Sequence, residues 1–281
     1  LIQFVETKIR TKKMLKFSYE RNIFSICEMA FGTFQDIFDA KSDVVYMHSN
    51  DTQSLAPNNS KIIIQKQYTL VNFLLAEESD LLSKINKNYQ YEIRRSEKEG
   101  VQVKIYGFQQ LNESSIILDK FQKVYNSMFQ FKKLKNKFNR NLVDAGLKSG
   151  NLLVSIGTAA NDPSCTVFHA YLIDGVNSVL LYSASQLWSN KSDKGKANLI
   201  GRINKYLHWN DMLWFKRHQY QRYEWGGISN SSNPNGIDKF KLEFGGKMCS
   251  YYNYVVPLTP LGYIYTTLVK NRSNTFERAT N

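Results

Sequence analysis

The sequence predicts a mixed α/β (α+β) fold: a mainly antiparallel sheet flanked by helices. Three observations predict it. From residue 101 to residue 256, strand-like and helix-like stretches follow in the order β-α-α-β-β-β-α-β-α-β. Three of those strands are consecutive and joined by short turns, which makes them antiparallel, whereas the later helix crossovers bring in parallel pairing. The chain has 281 residues, is 42% hydrophobic and carries 17 Phe and 17 Tyr, enough for a full core and for one large or two modest domains.

The elements follow in order. Residues 1–70 form a β-rich lead-in, with strand-like patches at Asp43 to Met47 and Lys61 to Ile64 and a polar loop from Asn50 to Ser60 that contains Pro57. Tyr68 to Leu75 is a further strand candidate. Ser79 is the expected N-cap of a helix in which Leu82, Ile85, Tyr89 and Ile93 recur at helical spacing and which Gly100 closes. Val101 to Tyr106 is a strand. Ser115 to Phe131 is a helix with Leu118, Phe121, Tyr125, Met128 and Phe129 on one side, a core stripe. Lys132 to Lys137 is a basic turn, and a second helix runs to about Lys148 before Gly150. The strands Leu152 to Gly157, Cys165 to Ile173 and Ser178 to Ser185 follow, the last two joined by the hairpin signal Asp174-Gly175. A loop from Ser189 to Lys196 leads into a long helix from about Ala197 to Tyr220. Strand Tyr223 to Trp225, helix Gly236 to Glu243, strand Met248 to Val256 and a last helix from Pro257 and Pro260 to about Lys270 complete the chain.

Charge and cysteine usage narrow the function classes. Lys plus Arg is 37 against 24 acidic residues, a net charge of +13, which favours anionic partners: nucleic acid, phosphorylated small molecules or an acidic membrane surface. An AT-rich genome, which enriches Lys and Asn, accounts for the same excess. Cys27, Cys165 and Cys249 are far apart and odd in number, so no disulfide framework is implied and a reducing cytoplasm is the expected home. No run of about 18 apolar residues exists, which excludes a membrane-spanning helix. The sequence opens at Leu1 with no signal-peptide pattern. No Cys/His/Asp cluster has metal spacing, so no metal is expected, and no serine elbow, Walker loop or dinucleotide fingerprint occurs.

The stretch Tyr223 to Gly246 is the one around which the rest of the chain is organised. It reads as a strand, a Gly-Gly break, a polar loop, a short helix bearing Lys241 and a second Gly-Gly, and such glycine density marks a place where backbone comes close to something. An ordinary strand–loop–helix connection reads the same way. Elsewhere, His169 and Tyr171 share one strand face and Tyr182 lies on the next strand. His169 is either a satisfied core residue or a candidate base. His208 and His218 lie ten apart on the long helix, His48 is isolated, and Cys165 with His169 makes no nucleophile pair because they lie four positions apart along a strand. Arg94, Arg95 and Lys98 form either a solvated helix face or an anion-contacting one.

The order of elements resembles the acyltransferase fold of the GNAT superfamily. There a Gln/Arg-x-x-Gly-x-Gly/Ala loop cradles a CoA pyrophosphate at a helix N-terminus, where free amides and the helix dipole suit phosphate. Ser192 to Ala197 is a half match: Gly195 and Ala197 fit, Ser192 departs, and Lys194 and Lys196 could contact phosphate. A closer resemblance is to the FemAB-like (peptidoglycan bridge, BioF2-like) family, whose bridge enzymes move an amino acid from aminoacyl-tRNA to an amine. It rests on Tyr91 to Val101, similar to the family's Arg-Lys-x-x-Lys-x-Gly-Val helix end, on Tyr223-Glu224-Trp225-Gly226-Gly227, similar to Tyr-Asp-Phe-x-Gly, and on Gly236 to Gly246, similar to Gly-Leu-x-x-Phe-Lys-x-x-Phe-Gly. The resemblance covers about residues 70–270. It implies a reduced N-terminal GNAT-like subdomain over residues 1–100, with its linking helix, and a GNAT-like acyltransferase domain with a C-terminal helix over residues 101–281.

The resemblance also implies site roles. Phe240 and Lys241 stand at the active site, where an ammonium binds a donor phosphate or stabilises an oxyanion. Glu224, where the family has Asp, orients the attacking amine, takes its proton or is merely structural. Lys194, Gly195, Lys196 and Ala197 are expected to bind the donor, and Arg94, Tyr182, Tyr223 and Asn235 the substrate. The expected function is N-acyl transfer, with aminoacyl-tRNA, acyl-CoA or a carrier-protein thioester as co-substrate and no permanently bound cofactor. The acceptor is an amino group on a nucleotide-linked amino sugar or a cell-envelope precursor, and peripheral contact with a membrane fits it. The bridge enzymes' second full domain and helical arm have no counterpart in this sequence. Two other readings remain at this stage: a basic nucleic-acid-binding domain, against which the aromatics fall at core periodicity, and an inactive FemAB-like module.

Overall fold

The computed structural model describes residues 15–30, 35–49, 61–133, 138–186, 193–229 and 233–278. Among them, ten strands form one sheet: β1 (Leu15–Arg21), β2 (Phe24–Ala30), β3 (Val44–Ser49), β4 (Ile63–Phe73), β5 (Gln102–Tyr106), β6 (Leu152–Ala159), β7 (Asp162–Ile173), β8 (Asn177–Ser185), β9 (Arg222–Ile228) and β10 (Lys247–Pro257). Their order is β1-β2-β3-β10-β4-β9-β8-β7-β6-β5. Pairing is antiparallel except for β2 with β3 and β8 with β9. The expected mixed, mainly antiparallel α/β architecture is what the chain adopts.

The C-terminal strand β10 lies between β3 and β4, so residues 15–73 share one sheet with the rest of the chain. The strand patches expected at residues 61–64 and 68–75 are one strand, β4, bent by a register shift between Thr69 and Val71. The helix expected from Ser79 to Gly100 is two: α2 (Glu78–Ser83) and α3 (Lys87–Lys98), after the short α1 (Gln35–Phe38). The break has a local cause, since the Asn86 side chain accepts from the Asn88 N–H and starts α3 afresh. The N-cap of α2 is Glu77 rather than Ser79.

On one face lie α4 (Phe108–Glu113), α5 (Ile116–Phe131) and α6 (Arg140–Lys148); Phe121, Phe138 and Phe168 are among the residues that build the core between them and β6–β8. The N-terminal hairpin packs on α6 and α9 (Pro260–Arg278), with Leu15 and Phe17 in one cluster with Leu142 of α6 and Tyr265 of α9. On the other face lies the long helix α7 (Lys194–Arg217), with Phe215, Tyr223, Trp225 and Phe244 wholly buried between it, β9 and α8 (Gly236–Leu242). Truncating any of these rings to alanine is worth about 3–5 kcal/mol. The Asp174-Gly175 hairpin is present, tied by Asp174 Oδ1 accepting from the Val176 N–H at 2.8 Å and the Asn177 N–H at 2.5 Å. The helix α7 starts three residues before its expected start and α9 runs eight residues past its expected end. The polar loop 50–60, most of the basic turn 132–137, Ser192 and residues 230–232 lie outside the described residues.

Candidate active site

The strand β9 leaves its neighbour early. It pairs with β8 at three positions among the described residues, Arg222 with Asn177, Tyr223 with Ser178 and Glu224 with Val179, while β8 runs on to Ser185. The divergence coincides with Gly226, whose φ is +69° and at which a Cβ would sit 3.0 Å from the Leu180 carbonyl oxygen. Only glycine meets both demands without strain. The β4 register shift lies opposite, and Thr69 Oγ1 donates to the Gly226 carbonyl at 2.8 Å. Two strands of one parallel pair are thus splayed from Gly226 onward.

Lys241 reaches that opening. Its Nζ donates to the Gly227 carbonyl at 2.7 Å. Its helix α8 starts on Asn235, whose side chain accepts from the Ile237 and Asp238 N–H groups at 2.8 and 2.9 Å. Asp238, buried, accepts from Ser229 Oγ at 2.5 Å and so ties α8 to the end of β9. At the far end, Asn72 Nδ2 donates to the Phe244 carbonyl at 3.0 Å and Asn72 Oδ1 accepts from Trp225 Nε1 at 2.7 Å, which joins β4, β9 and α8 at one side chain. Phe240 packs among Tyr89, His208, Trp225 and Phe244 at ring-centroid distances of 5.5–6.3 Å. Burial pulls the Lys241 ammonium below its ordinary pKa, opposed by the charge of Asp238.

Alternation along β9 sends Tyr223 and Trp225 toward α7 and Glu224 to the opposite face. Under β9, on the α7 side, lies a buried polar chain. Asp211 Oδ2 is 2.6 Å from Tyr171 OH and 2.8 Å from His169 Nδ1. Tyr171 OH is 2.8 Å from Tyr223 OH, which is 2.7 Å from His208 Nδ1. His169 Nε2 lies 2.9 Å from Asn204 Oδ1, and the two imidazoles stack at 3.9 Å. Burial drives both phenols, Tyr171 and Tyr223, well above the ordinary tyrosine pKa. His208 is pushed well below its ordinary value, by burial first and then by His169 and Lys241.

Glu224 faces β3 and β10. It is 1% exposed, with Oε1 3.3 Å from His48 Nε2 and Oε2 3.9 Å from an Arg222 nitrogen, and among the described residues neither oxygen has a hydrogen-bond partner. The His48 ring packs on Tyr251 at 4.0 Å. Glu28, on β2, accepts from Tyr19 OH at 3.0 Å, and burial raises its pKa to about 7.

The other residues singled out from sequence stand apart. Lys194, Gly195, Lys196 and Ala197 form the first turn of α7, where the Asp193 carboxylate already accepts from the Lys196 N–H at 3.0 Å. Lys196 Nζ pairs with Asp162 at 3.0 Å and Lys194 is exposed. Tyr182 OH accepts from the Asn139 N–H at 3.2 Å inside the aromatic cluster of Tyr125 and Phe138. Arg94 is exposed and bonds Gln90 of its own helix at 3.3 Å. The geometry therefore gathers Tyr223, Phe240 and Lys241 on one side of β9, held by Asn235, with His169 beneath them and Glu224 on the other face.

Sequence reading missed Asn72, Asn204 and Asp211 and did not assign His208. A signal existed: Asn204, His208 and Asp211 fall at i, i+4 and i+7, one polar stripe along the same helix as the buried Ile203, Leu207, Met212 and Phe215. It also expected no metal-ligating group, yet ligand atoms of His169, His208 and Asp211 lie within 4.8 Å of one another. These three could hold a divalent cation, although a cation would have to replace the hydrogen bonds from His169 to Asp211 and from His208 to Tyr223.

No family model matches the sequence, and no curated protein matches it. Solved structures do resemble it in fold. FemX superposes with a TM-score of 0.54 at 12% identity over 84% of this chain and 83% of its own. The C-terminal DUF2156 domain of a protein assigned as a lysylphosphatidylglycerol synthetase from Agrobacterium fabrum superposes with a TM-score of 0.52 at 12% identity over 90% of this chain and 83% of its own. The chain has the GNAT-like fold of these proteins, as its order of elements led one to expect.

Proposed function

We propose that this protein is an aminoacyltransferase that moves an aminoacyl group from aminoacyl-tRNA to an amino group of a cell-envelope precursor, with a nucleotide-linked amino sugar as the acceptor class. The observation that carries the reading is the splay of β8 from β9, with Lys241 reaching its edge, in a fold shared with FemX and a lysylphosphatidylglycerol synthetase domain. A splayed parallel pair admits an extended donor between strands that would otherwise hydrogen-bond to each other. The half-buried ammonium of Lys241 is suited to the oxyanion that forms when an amine attacks an ester carbonyl. The net charge of +13 suits a polyanionic donor.

The start of α7 favours tRNA over CoA as donor. A pyrophosphate cradle needs free first-turn amides, and here the Asp193 carboxylate takes one of them, with Asp162 close by on Lys196. The site residues do not include a covalent nucleophile, and aminolysis of an activated ester does not require one. No helix among the described residues is long and apolar enough to cross a membrane.

The test is single-turnover transfer from a pool of labelled aminoacyl-tRNAs, in parallel with acyl-CoA and an acylated carrier protein, to a nucleotide-linked amino sugar and to phosphatidylglycerol vesicles. Label should move from tRNA to the amino sugar. Lys241→Ala should slow it at least ~100-fold, the scale of losing one oxyanion-stabilising group, with an unchanged melting temperature. Full activity in Lys241→Ala would remove the lysine from the mechanism, and transfer from CoA alone would replace the tRNA reading.

A further inference from the structure

We infer that His208 is locked as the neutral Nδ1–H tautomer, so that its bare Nε2, rather than either nitrogen of His169, accepts the proton released by the attacking amine. The tautomer follows from the hydrogen bonds to an ionised Asp211; the proton-accepting role rests on the transfer reading above.

The direction of each bond follows from an ionised Asp211 at one end. Two donor-capable groups converge on Asp211 Oδ2, Tyr171 OH at 2.6 Å and His169 Nδ1 at 2.8 Å. With Asp211 ionised, Oδ2 accepts from both, whereas a protonated Oδ2 would donate to Tyr171 and turn every bond of the chain around. Tyr171 therefore spends its single proton on Asp211, and its oxygen is left to accept. Tyr223 OH, 2.8 Å away, must donate to it. With that proton spent, Tyr223 can only accept from His208 Nδ1 at 2.7 Å. A neutral imidazole carries one N–H, so Nε2 of His208 holds a lone pair.

His208 is neutral because it is 2% exposed, with its direct hydrogen-bond partner a phenol. The groups facing it are His169 and Tyr171 from β7, Asp211 from its own helix, Tyr223 from β9 and Lys241 from α8; burial, His169 and Lys241 together hold it well below the ordinary histidine range. His169 has no spare nitrogen: Nδ1 donates to Asp211, and Nε2 meets the Asn204 side-chain amide at 2.9 Å whichever way that amide is turned. The His208 ring also packs on Trp225 at 4.4 Å and on Phe240 at 5.6 Å, so it lies under the helix that carries Lys241.

The step balances without another reagent. The acceptor nitrogen forms a bond to the carbonyl carbon of the aminoacyl ester, and one of its protons passes to His208 Nε2. The C–O bond to the tRNA ribose breaks, and the same proton passes from Nε2 to the departing ribose oxygen. The chain to Asp211 stabilises the transient imidazolium through Nδ1–H, while the nearby Lys241 charge keeps it short-lived and returns the proton forward.

The experiment uses the full chain labelled with 15N-histidine. A long-range proton–nitrogen spectrum at neutral pH, with the His208 signals assigned by their loss in His208→Gln, should show a protonated Nδ1 and a bare Nε2. An Nε2–H tautomer, an imidazolium, or a pattern that EDTA alters would overturn the inference, the last in favour of a bound cation. Tyr223→Phe, which removes the acceptor with little change of shape, should release the lock and populate the Nε2–H form; an unchanged spectrum would also overturn it. In the transfer assay, His208→Gln should slow the single turnover by roughly 100- to 10,000-fold, the range for general-base catalysis, with charged-tRNA binding retained. Tyr223→Phe should slow it about 5- to 10-fold, the scale of one neutral hydrogen bond. Wild-type turnover with a fully active His208→Gln overturns the base and leaves the transferase standing. A tautomer as expected but no turnover from any donor overturns the transferase reading, and the proton-accepting role with it, and leaves the lock standing.

Discussion

Asn72 is the side chain on which the position of Lys241 depends, and replacing it with leucine tests that dependence. Its amide donates to the Phe244 carbonyl at 3.0 Å and accepts from Trp225 Nε1 at 2.7 Å, and the residue is 4% exposed. Leucine keeps the branched heavy-atom shape and is somewhat bulkier, so no cavity is made. What changes is that a buried carbonyl and a buried indole N–H both lose their partner, at about 1–3 kcal/mol each, for a total of about 2–6 kcal/mol. Trp225→Phe removes the indole donor, leaves Asn72 Oδ1 unpaired and opens a cavity where the larger ring was buried, so a loss of similar size is expected, and the double variant should cost less than the two singles added, because they share a bond. Urea unfolding monitored by near-ultraviolet circular dichroism gives the stabilities, and single-turnover transfer under native conditions gives the activity. The bond to Phe244 also holds the end of α8, so Asn72→Leu should lose activity beyond any loss of folded protein. An Asn72→Leu variant within about 0.5 kcal/mol of wild type would refute the bracket, and strict additivity with Trp225→Phe would refute the coupling.

Two further outcomes follow from the same region and from the N-terminal strands. Gly245 has φ of +69° and a Cβ there would overlap the Lys84 carbonyl, so Gly245→Ala combines about 1–2 kcal/mol of left-handed strain with about 1–3 kcal/mol of crowding; calorimetry should find melting lowered by roughly 3–9 °C, and an unchanged melting temperature would show that the α2–α3 connection yields freely. Glu28 keeps its proton up to about pH 7 in the folded chain, chiefly through burial, whereas the unfolded chain loses it at the ordinary glutamate value. The folded state therefore binds more protons in that window, and stability is fullest below the ordinary glutamate value and falls as pH rises to about 7. Glu28→Gln should remove that fall in a pH series of urea midpoints; parallel curves for the two proteins would contradict the raised carboxyl.

Local pattern carried much of the fold. Strands β6 to β8, the α5 stripe, the long α7 and the Phe240-Lys241 helix all stand where periodicity and turn residues put them, because each is decided by contacts within a few residues. The β4 strand was split in the sequence reading because Gln65, Lys66 and Gln67 interrupt its apolar run; they fall on its exposed first half, beyond the reach of β9, while Leu70 and Val71 are buried. The placement of β10 between β3 and β4 could not be read at all, since a strand's partners are set by packing across the whole chain. The site divided the same way. His169 and Tyr171 stood out as one strand face, but the carboxylate that organises them comes from Asp211, 42 residues later on α7.

The distribution of buried polar groups is what separates a functional reading of this site from a structural one. A buried ionisable group is poorly repaid in stability, and an apolar replacement of similar volume is often neutral or better. The cluster around Phe121 and Phe168 follows that rule with aromatic and aliphatic side chains, and so does the cluster around Val167, Ile203 and Leu207. At β9 the rule is broken on both faces. Five short hydrogen bonds join His169, Asp211, Tyr171, Tyr223, His208 and Asn204 beneath it, and Glu224 lies buried above it beside His48. Tyr223 and Glu224 are also the last residues before the strand parts from β8. A core that needed only stability would have no reason to place so much unfavourable burial where, among the described residues, β9 parts from β8. A site that must hold a proton acceptor in one tautomer beside a donor-admitting gap has that reason, and it is why the hydrogen-bond direction at His208 and the rate in His208→Gln should change together.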